Sequence, residues 1–102
     1  MAIVGPREYA ATQAAVDAEL PRLRSRIGRL ADGLTGLLSF RLTITEAGDV
    51  NEVETLFDRL LPLTANAARP EQTIAMAAES LRGFRFSTAS APSQVTLAIP
   101  FD

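Results

Sequence analysis

Between Glu46 and Asp58 the chain carries five acids and no basic residue: Glu46, Asp49, Glu52, Glu54 and Asp58. Carboxylates at that density can hold Ca²⁺ or perform acid–base work. Their spacing does not follow the calcium loop, which alternates Asp or Asn and closes on a Glu. On a strand, Glu52 and Glu54 share a face. The expectation is a solvated acidic edge, which also discourages edge-to-edge aggregation. A second cluster, Arg22, Arg24, Arg26 and Arg29, is basic. At 100° per residue these arginines spread around a helix instead of forming one stripe. No aromatics interleave them, so a nucleic-acid face is not indicated. Pairing with Asp17, Glu19 or the acidic segment is the expected use.

The residue types that are missing exclude more. The 102 residues contain no Cys and no His, and all ten basic residues are Arg. Disulfides and thiolate metal sites are therefore ruled out, and so are a His base, a Schiff-base Lys and a phosphate-loop Lys. Ser and Thr are plentiful, but no His or Lys can activate one. "GPRE" and "GLTG" are too sparse to cradle a phosphate. No catalytic residue, metal or cofactor is assigned. A carboxylate-based enzyme or Ca²⁺ binder on Glu46, Asp49, Glu52 and Glu54 stays as the most distant alternative.

These residues must be positioned by a single domain spanning 1–102. At 47% hydrophobic residues and a net charge of −2, the chain is fit to fold and has no drive toward nucleic acid or an anionic membrane. Residues 7–31 read as helix: Val16, Leu20, Leu23, Ile27 and Leu30 draw one apolar stripe, which Tyr9 extends upstream. Pro21 predicts a kink, or a break with a second helix starting there.

"LLSFRLTIT" alternates strictly. Leu38, Phe40, Leu42 and Ile44 face one way; Ser39, Arg41, Thr43 and Thr45 face the other. "EAGD" is a tight turn, and "VNEVETLF" returns as a strand with a bulge near Asn51 or Glu52. A short helix over 52–61 competes with that strand, because Val53, Leu56, Phe57, Leu60 and Leu61 also fit a 3.6 period. "LPLTANAARP" connects. A helix starts at Pro70, with Ile74, Ala77 or Ala78, Leu81 and Phe84 inward, and ends at Gly83. "SQVTLAIPF" closes the chain as a strand with Val95, Leu97, Ile99 and Phe101 on one side.

The predicted fold class is α+β, in the order α-β-β-α-β. The expected sheet has three antiparallel strands in the order 2-1-3, with the helices on one face. The last strand is then an edge, as its Pro100 suggests.

Three stretches, "LSFRLTITEAGDVNEVET", "IAMAAESLRGFRFS" and "VTLAIPFD", together resemble the C-terminal domains of the TonB superfamily, related to TolA, and in pattern the AgmX/PglI-type domains above all. The resemblance covers residues 36–102. It implies a non-enzymatic periplasmic module, anchored upstream to the inner membrane, that grips an extended peptide of a protein partner on a sheet edge. A chain complete as given would instead be cytoplasmic, since it has no signal peptide and no run of about 20 apolar residues. The membrane is thus reached only through an upstream anchor.

The edge strand expected to bind is Gln94, Val95, Thr96, Leu97, Ala98 and Ile99, with Arg41, Thr43 and Thr45 on the adjoining open face. A homodimer in which two last strands pair is the second reading.

Overall fold

A computed structural model describes residues 1–63 and 70–101. The order is β1 (Ala2–Val4), α1 (Tyr9–Ile27), a 3₁₀ turn (Gly28–Ala31), β2 (Leu34–Ile44), β3 (Val50–Pro62), α2 (Pro70–Arg82) and β4 (Ser93–Phe101). The strands form one four-stranded sheet in the order β1-β4-β2-β3, with every neighbouring pair antiparallel. The fold class α+β holds, and the expected 2-1-3 arrangement survives as β3-β2-β4. The strand count is corrected from three to four. Three residues are too few to show an alternation, so "AIV" carries no strand signal of its own; it becomes a strand only because β4 offers it main-chain partners.

The strand patterns follow from burial. Leu38, Phe40, Leu42 and Ile44 of β2 and Val95 and Ile99 of β4 are fully buried under the helices, with Leu97 nearly so. From α1 come Val16, Leu23 and Ile27, and from α2 Ala77 and Leu81, with Phe84 just beyond it. Met1 and Ile3 pack against the rim of this core.

Residues 50–62 are strand throughout, so the competing helix over 52–61 is not formed. The expected bulge is present, since Val50 pairs with Ile44 and Glu52 with Thr43, leaving Asn51 extra. A second irregularity was not expected. Phe40 pairs with Thr55 and Ser39 with Phe57, so Leu56 is also extra. Gly48 (φ 99°) turns the hairpin beneath the Phe86 carbonyl, where any β-carbon would collide.

Helix α1 passes through Pro21 as one element, so neither a break nor a second helix occurs. Pro21 is exposed, which leaves water to satisfy the carbonyl that its missing N–H would have bonded. The apolar stripe does not extend upstream. Tyr9 is exposed, and Thr12 is the buried residue of the first turns, its hydroxyl donating to the Glu8 carbonyl at 2.8 Å. α2 begins at Pro70 as expected. The connecting loop expected at 61–70 falls largely on 64–69, outside the described residues.

Candidate partner-binding edges

The sheet has two flanks, one beyond β4 and one beyond β3. On the β4 flank the chain places its own β1: Ala2 opposite Thr96, Ile3 opposite Val95 and Val4 opposite Gln94. Gln94, Val95 and Thr96 therefore lie between two strands, and the expectation of an open edge along all of 94–99 is corrected there. β1 reaches this place because Gly5 (φ 125°) turns the chain tightly against Ser93.

Arg7 then bolts the segment down. It is only 8% exposed. Nη1 donates to Ser93 Oγ at 3.1 Å, and Nη2 to the carbonyls of Thr45 at 2.9 Å and Ser87 at 2.7 Å. One side chain thus joins the start of β4, the end of β2 and the crossover after α2. Hydrogen bonds from a charged donor are the stronger kind. Nothing in the sequence marks Arg7 for this role. "GPRE" presents an ordinary arginine before a helix, and its three acceptors lie 38 to 86 residues away.

The far end of the same flank is closed in another way. Pro100 has no N–H, and its carbonyl accepts from Arg24 Nη2 of α1 at 3.3 Å. The Arg24 guanidinium also sits over the Phe101 ring, 5.8 Å from its centroid. The main-chain groups of one residue leave a strand on the same side, and the side alternates along the strand. Ala98 therefore points the way Pro100 does. Beyond Thr96, it is the residue that offers both an N–H and a C=O on this flank.

On the sheet face away from the helices, cross-strand pairing sorts the residues into rows. Val4, Gln94, Thr43 and Glu52 form one row, and Ala2, Thr96, Arg41 and Glu54 the next. Arg41 and Glu54 make an exposed ion pair at 3.3 Å. So Arg41 and Thr43 do border 94–96, as expected. Thr45 does not join them. It belongs to the turn, where its hydroxyl accepts the Asp49 N–H at 3.2 Å and its carbonyl takes Arg7.

Toward the other end the face turns apolar. Ala98 and Phe57 flank Ser39, Pro100 and Arg59 flank Leu37, and Leu61 lies opposite Thr35. Leu37, Phe57 and Leu61 are 37%, 45% and 54% exposed.

The β3 flank is different in kind. β3 ends the sheet order, and no strand lies beside it among the described residues. At its approach, Asp49 forms an isolated bridge with Arg85, and their side chains pair at 3.4 Å. The run 51–59 is exposed except for Val53, which is half-buried.

The acids do not converge on a cation. Glu54 faces Arg41 and Asp49 faces Arg85, and among the described residues no group of three or more potential ligands gathers. The arginine run is used piecemeal: Arg22 pairs with Glu19 at 3.7 Å, Arg26 with Glu79 of α2 at 3.8 Å, and Arg24 holds β4. A recess of about 150 Å³ between the helices is lined by Leu23, Phe84 and Ser80, with Glu19, Arg22 and Arg26 at its wall. Ser80 Oγ makes no hydrogen bond there, so none of these groups is placed to activate it. Among the described residues no helix is long and apolar enough to cross a membrane.

No protein-family model, curated protein or solved structure matches the chain.

Proposed function

We propose that this chain is a protein-interaction module of the TonB/AgmX kind, which binds an extended segment of a partner protein by strand addition on the outer flank of β4. The reading includes a periplasmic setting and attachment to the inner membrane through an upstream anchor. It assigns no catalytic role and no cofactor.

The observation that supports it is β1 itself. Three residues with little burial of their own sit on β4 as an added strand. Val4 is 70% exposed, so its side chain contributes little to holding them there. The flank therefore accepts an extended segment through main-chain bonds and a few side-chain contacts, which is how strand addition works. A partner strand takes the place of β1, in the register β1 marks: its inward residue stands where Ile3 stands, against Val95. Gln94, Thr96 and Ala98 border it on the open face, with Arg41 and Thr43 beyond.

The test is a chain lacking residues 1–5, with Arg7 retained. Amide signals of 94–98 should exchange faster than in the full chain. A synthetic peptide of the sequence Met-Ala-Ile-Val-Gly-Pro should bind and perturb those same amides. Perturbation confined to 51–62, or no binding at millimolar peptide, would overturn the reading.

A further inference from the structure

We propose that the outer edge of β3 pairs with the same edge of a second copy of this chain, joining the two sheets into one about a two-fold axis between Leu56 and Phe57. The β4 flank plays no part in this contact, so it stands or falls apart from the reading above.

The unexpected bulge makes the contact possible. Before it, Glu54 lies opposite Arg41 on the open face and Thr55 opposite Phe40 on the core face. After it, Phe57 and Arg59 lie opposite Ser39 and Leu37 on the open face, while Asp58 and Leu60 lie opposite Leu38 and Gly36 on the core face. The extra residue shifts the alternation. Glu54 and Arg59, five apart, therefore share a face, which an unbulged strand forbids.

A two-fold axis perpendicular to a sheet keeps each face on its own side, so only residues of one face can oppose each other across an isologous edge. With the axis between Leu56 and Phe57, that condition is met along the strand. Glu54 of each copy stands opposite Arg59 of the other on the open face. Thr55 stands opposite Asp58, and Val53 opposite Leu60, on the core face. Leu56 meets Phe57 at the axis.

No like charges oppose one another in this register, and each opposite-charge pair occurs twice. Sliding the copies by two residues sets Glu54 against Phe57 or against Leu61 instead. Charge complementarity thus selects one register. The same contact covers Leu56, Phe57 and Leu61, which are 39%, 45% and 54% exposed in one copy. The acidic side chains, which alone would repel a second edge, include an internal partner for that edge in Arg59.

The test is equilibrium sedimentation of the full chain from micromolar to millimolar concentration, with Glu54→Arg and Arg59→Glu as variants. The wild type should form a reversible dimer. Either variant alone sets like charges opposite each other twice, and should raise the dissociation midpoint roughly tenfold. An equal mixture of the two variants should return to the wild-type midpoint as a heterodimer, because every charge at positions 54 and 59 then faces an opposite one. Both sites are exposed, so thermal melts should show each variant folded. A monomer across the whole range overturns the proposal. So does a dimer that neither variant weakens, or one that the mixture does not restore.

Discussion

The two flanks of this sheet differ in how they are finished. The β4 flank is closed three times over: by β1 on 94–96, by the missing N–H of Pro100, and by Arg24 on the Pro100 carbonyl. Arg7 then fixes β1 in place through three hydrogen bonds. Among the described residues, the β3 flank has a neighbour only at its approach, through Asp49 and Arg85. Side chains show the same contrast. β4 alternates buried and outward residues along its whole length, whereas β3 is buried only at Val50 and Leu60. An edge can therefore belong to the core and still be shut, or hang outside the core and stand open. Alternation reports which face of a strand is covered; it says nothing about what lies along its edge.

The largest effect that separates the flanks is in the core. Ile99→Ala removes a fully buried side chain of β4 and should cost about 2–5 kcal/mol of unfolding free energy. Leu61→Ala, on β3 at 54% exposure, should change stability by no more than about 0.5 kcal/mol. Urea denaturation of both variants, at low protein concentration so that association does not contribute, measures the difference. Equal costs would mean that β3 is packed as tightly as β4, and the contrast would fail.

Next in size is the bolt. Arg7→Ala takes the donor from Ser93 Oγ and from the Ser87 carbonyl, and one of two donors from the Thr45 carbonyl, which keeps the Gly48 N–H. The expected loss is about 1–3 kcal/mol, since the buried Ser93 hydroxyl and the part-buried Ser87 carbonyl lose a charged donor. Hydrogen exchange should rise first at residues 2–4 and 94–96 and leave 53–60 unchanged. Uniform acceleration over the whole sheet would show that Arg7 supports the fold at large and not the closing of one flank.

How much of this was legible follows from how far each signal travels along the chain. The hairpin, its turn at Gly48, the helix from Pro70 and the inward residues Val95, Leu97 and Ile99 are all written in spacings of two to four residues. So is the bulge at Asn51. Of the candidate site, the placement is half legible: the strand and Arg41 and Thr43 beside it can be read from the sequence, but not that Ala2–Val4 lies across 94–96. β1 has no periodicity to detect, and it is made by pairing with residues about 90 positions away. Arg7 was hidden for the same reason. Leu56 escaped because a strand with one extra residue also satisfies a helical period, as the ambiguity over 52–61 shows. Such bulges become visible only when β2 is set beside β3. Whether Pro21 breaks α1 depends on its exposure, which the local sequence does not carry.

A smaller effect probes how β1 is seated. At Gly5, φ is 125° and a β-carbon would press on Ser93. Gly5→Ala should therefore cost about 1 kcal/mol or somewhat more, through a backbone conformation that alanine resists. It should also speed exchange at 94–96 and disturb the Ser93 hydroxyl that Arg7 holds, while the Thr45 and Ser87 carbonyls stay paired with Arg7. Protection at 94–96 equal to that of the wild type would mean that β1 tolerates the new side chain, and that the turn at Gly5 does not set its position.

The smallest effect sharpens the comparison most, because it acts on both flanks through one residue. Arg41 stands between Thr96 of β4 and Glu54 of β3, and its side chain is committed to Glu54 at 3.3 Å. The pair is exposed on both sides, so Arg41→Ala should change the stability of a single copy by no more than about 0.5 kcal/mol. Its consequence for association has a definite sign. In the proposed dimer two guanidiniums compete for Glu54: Arg41 of its own chain and Arg59 of the second copy. Removing Arg41 leaves Glu54 to Arg59, and the dimer midpoint should fall by roughly twofold, the range of an exposed ion pair. The β4 flank gains nothing from the change, since Thr96 contributes its main chain to β1 and not its side chain to Arg41. A midpoint that rises instead would mean that Arg41 orients Glu54 for its partner. A midpoint that stays fixed while 94–96 loses protection would place Arg41 with β4, and the two flanks would be coupled across the open face.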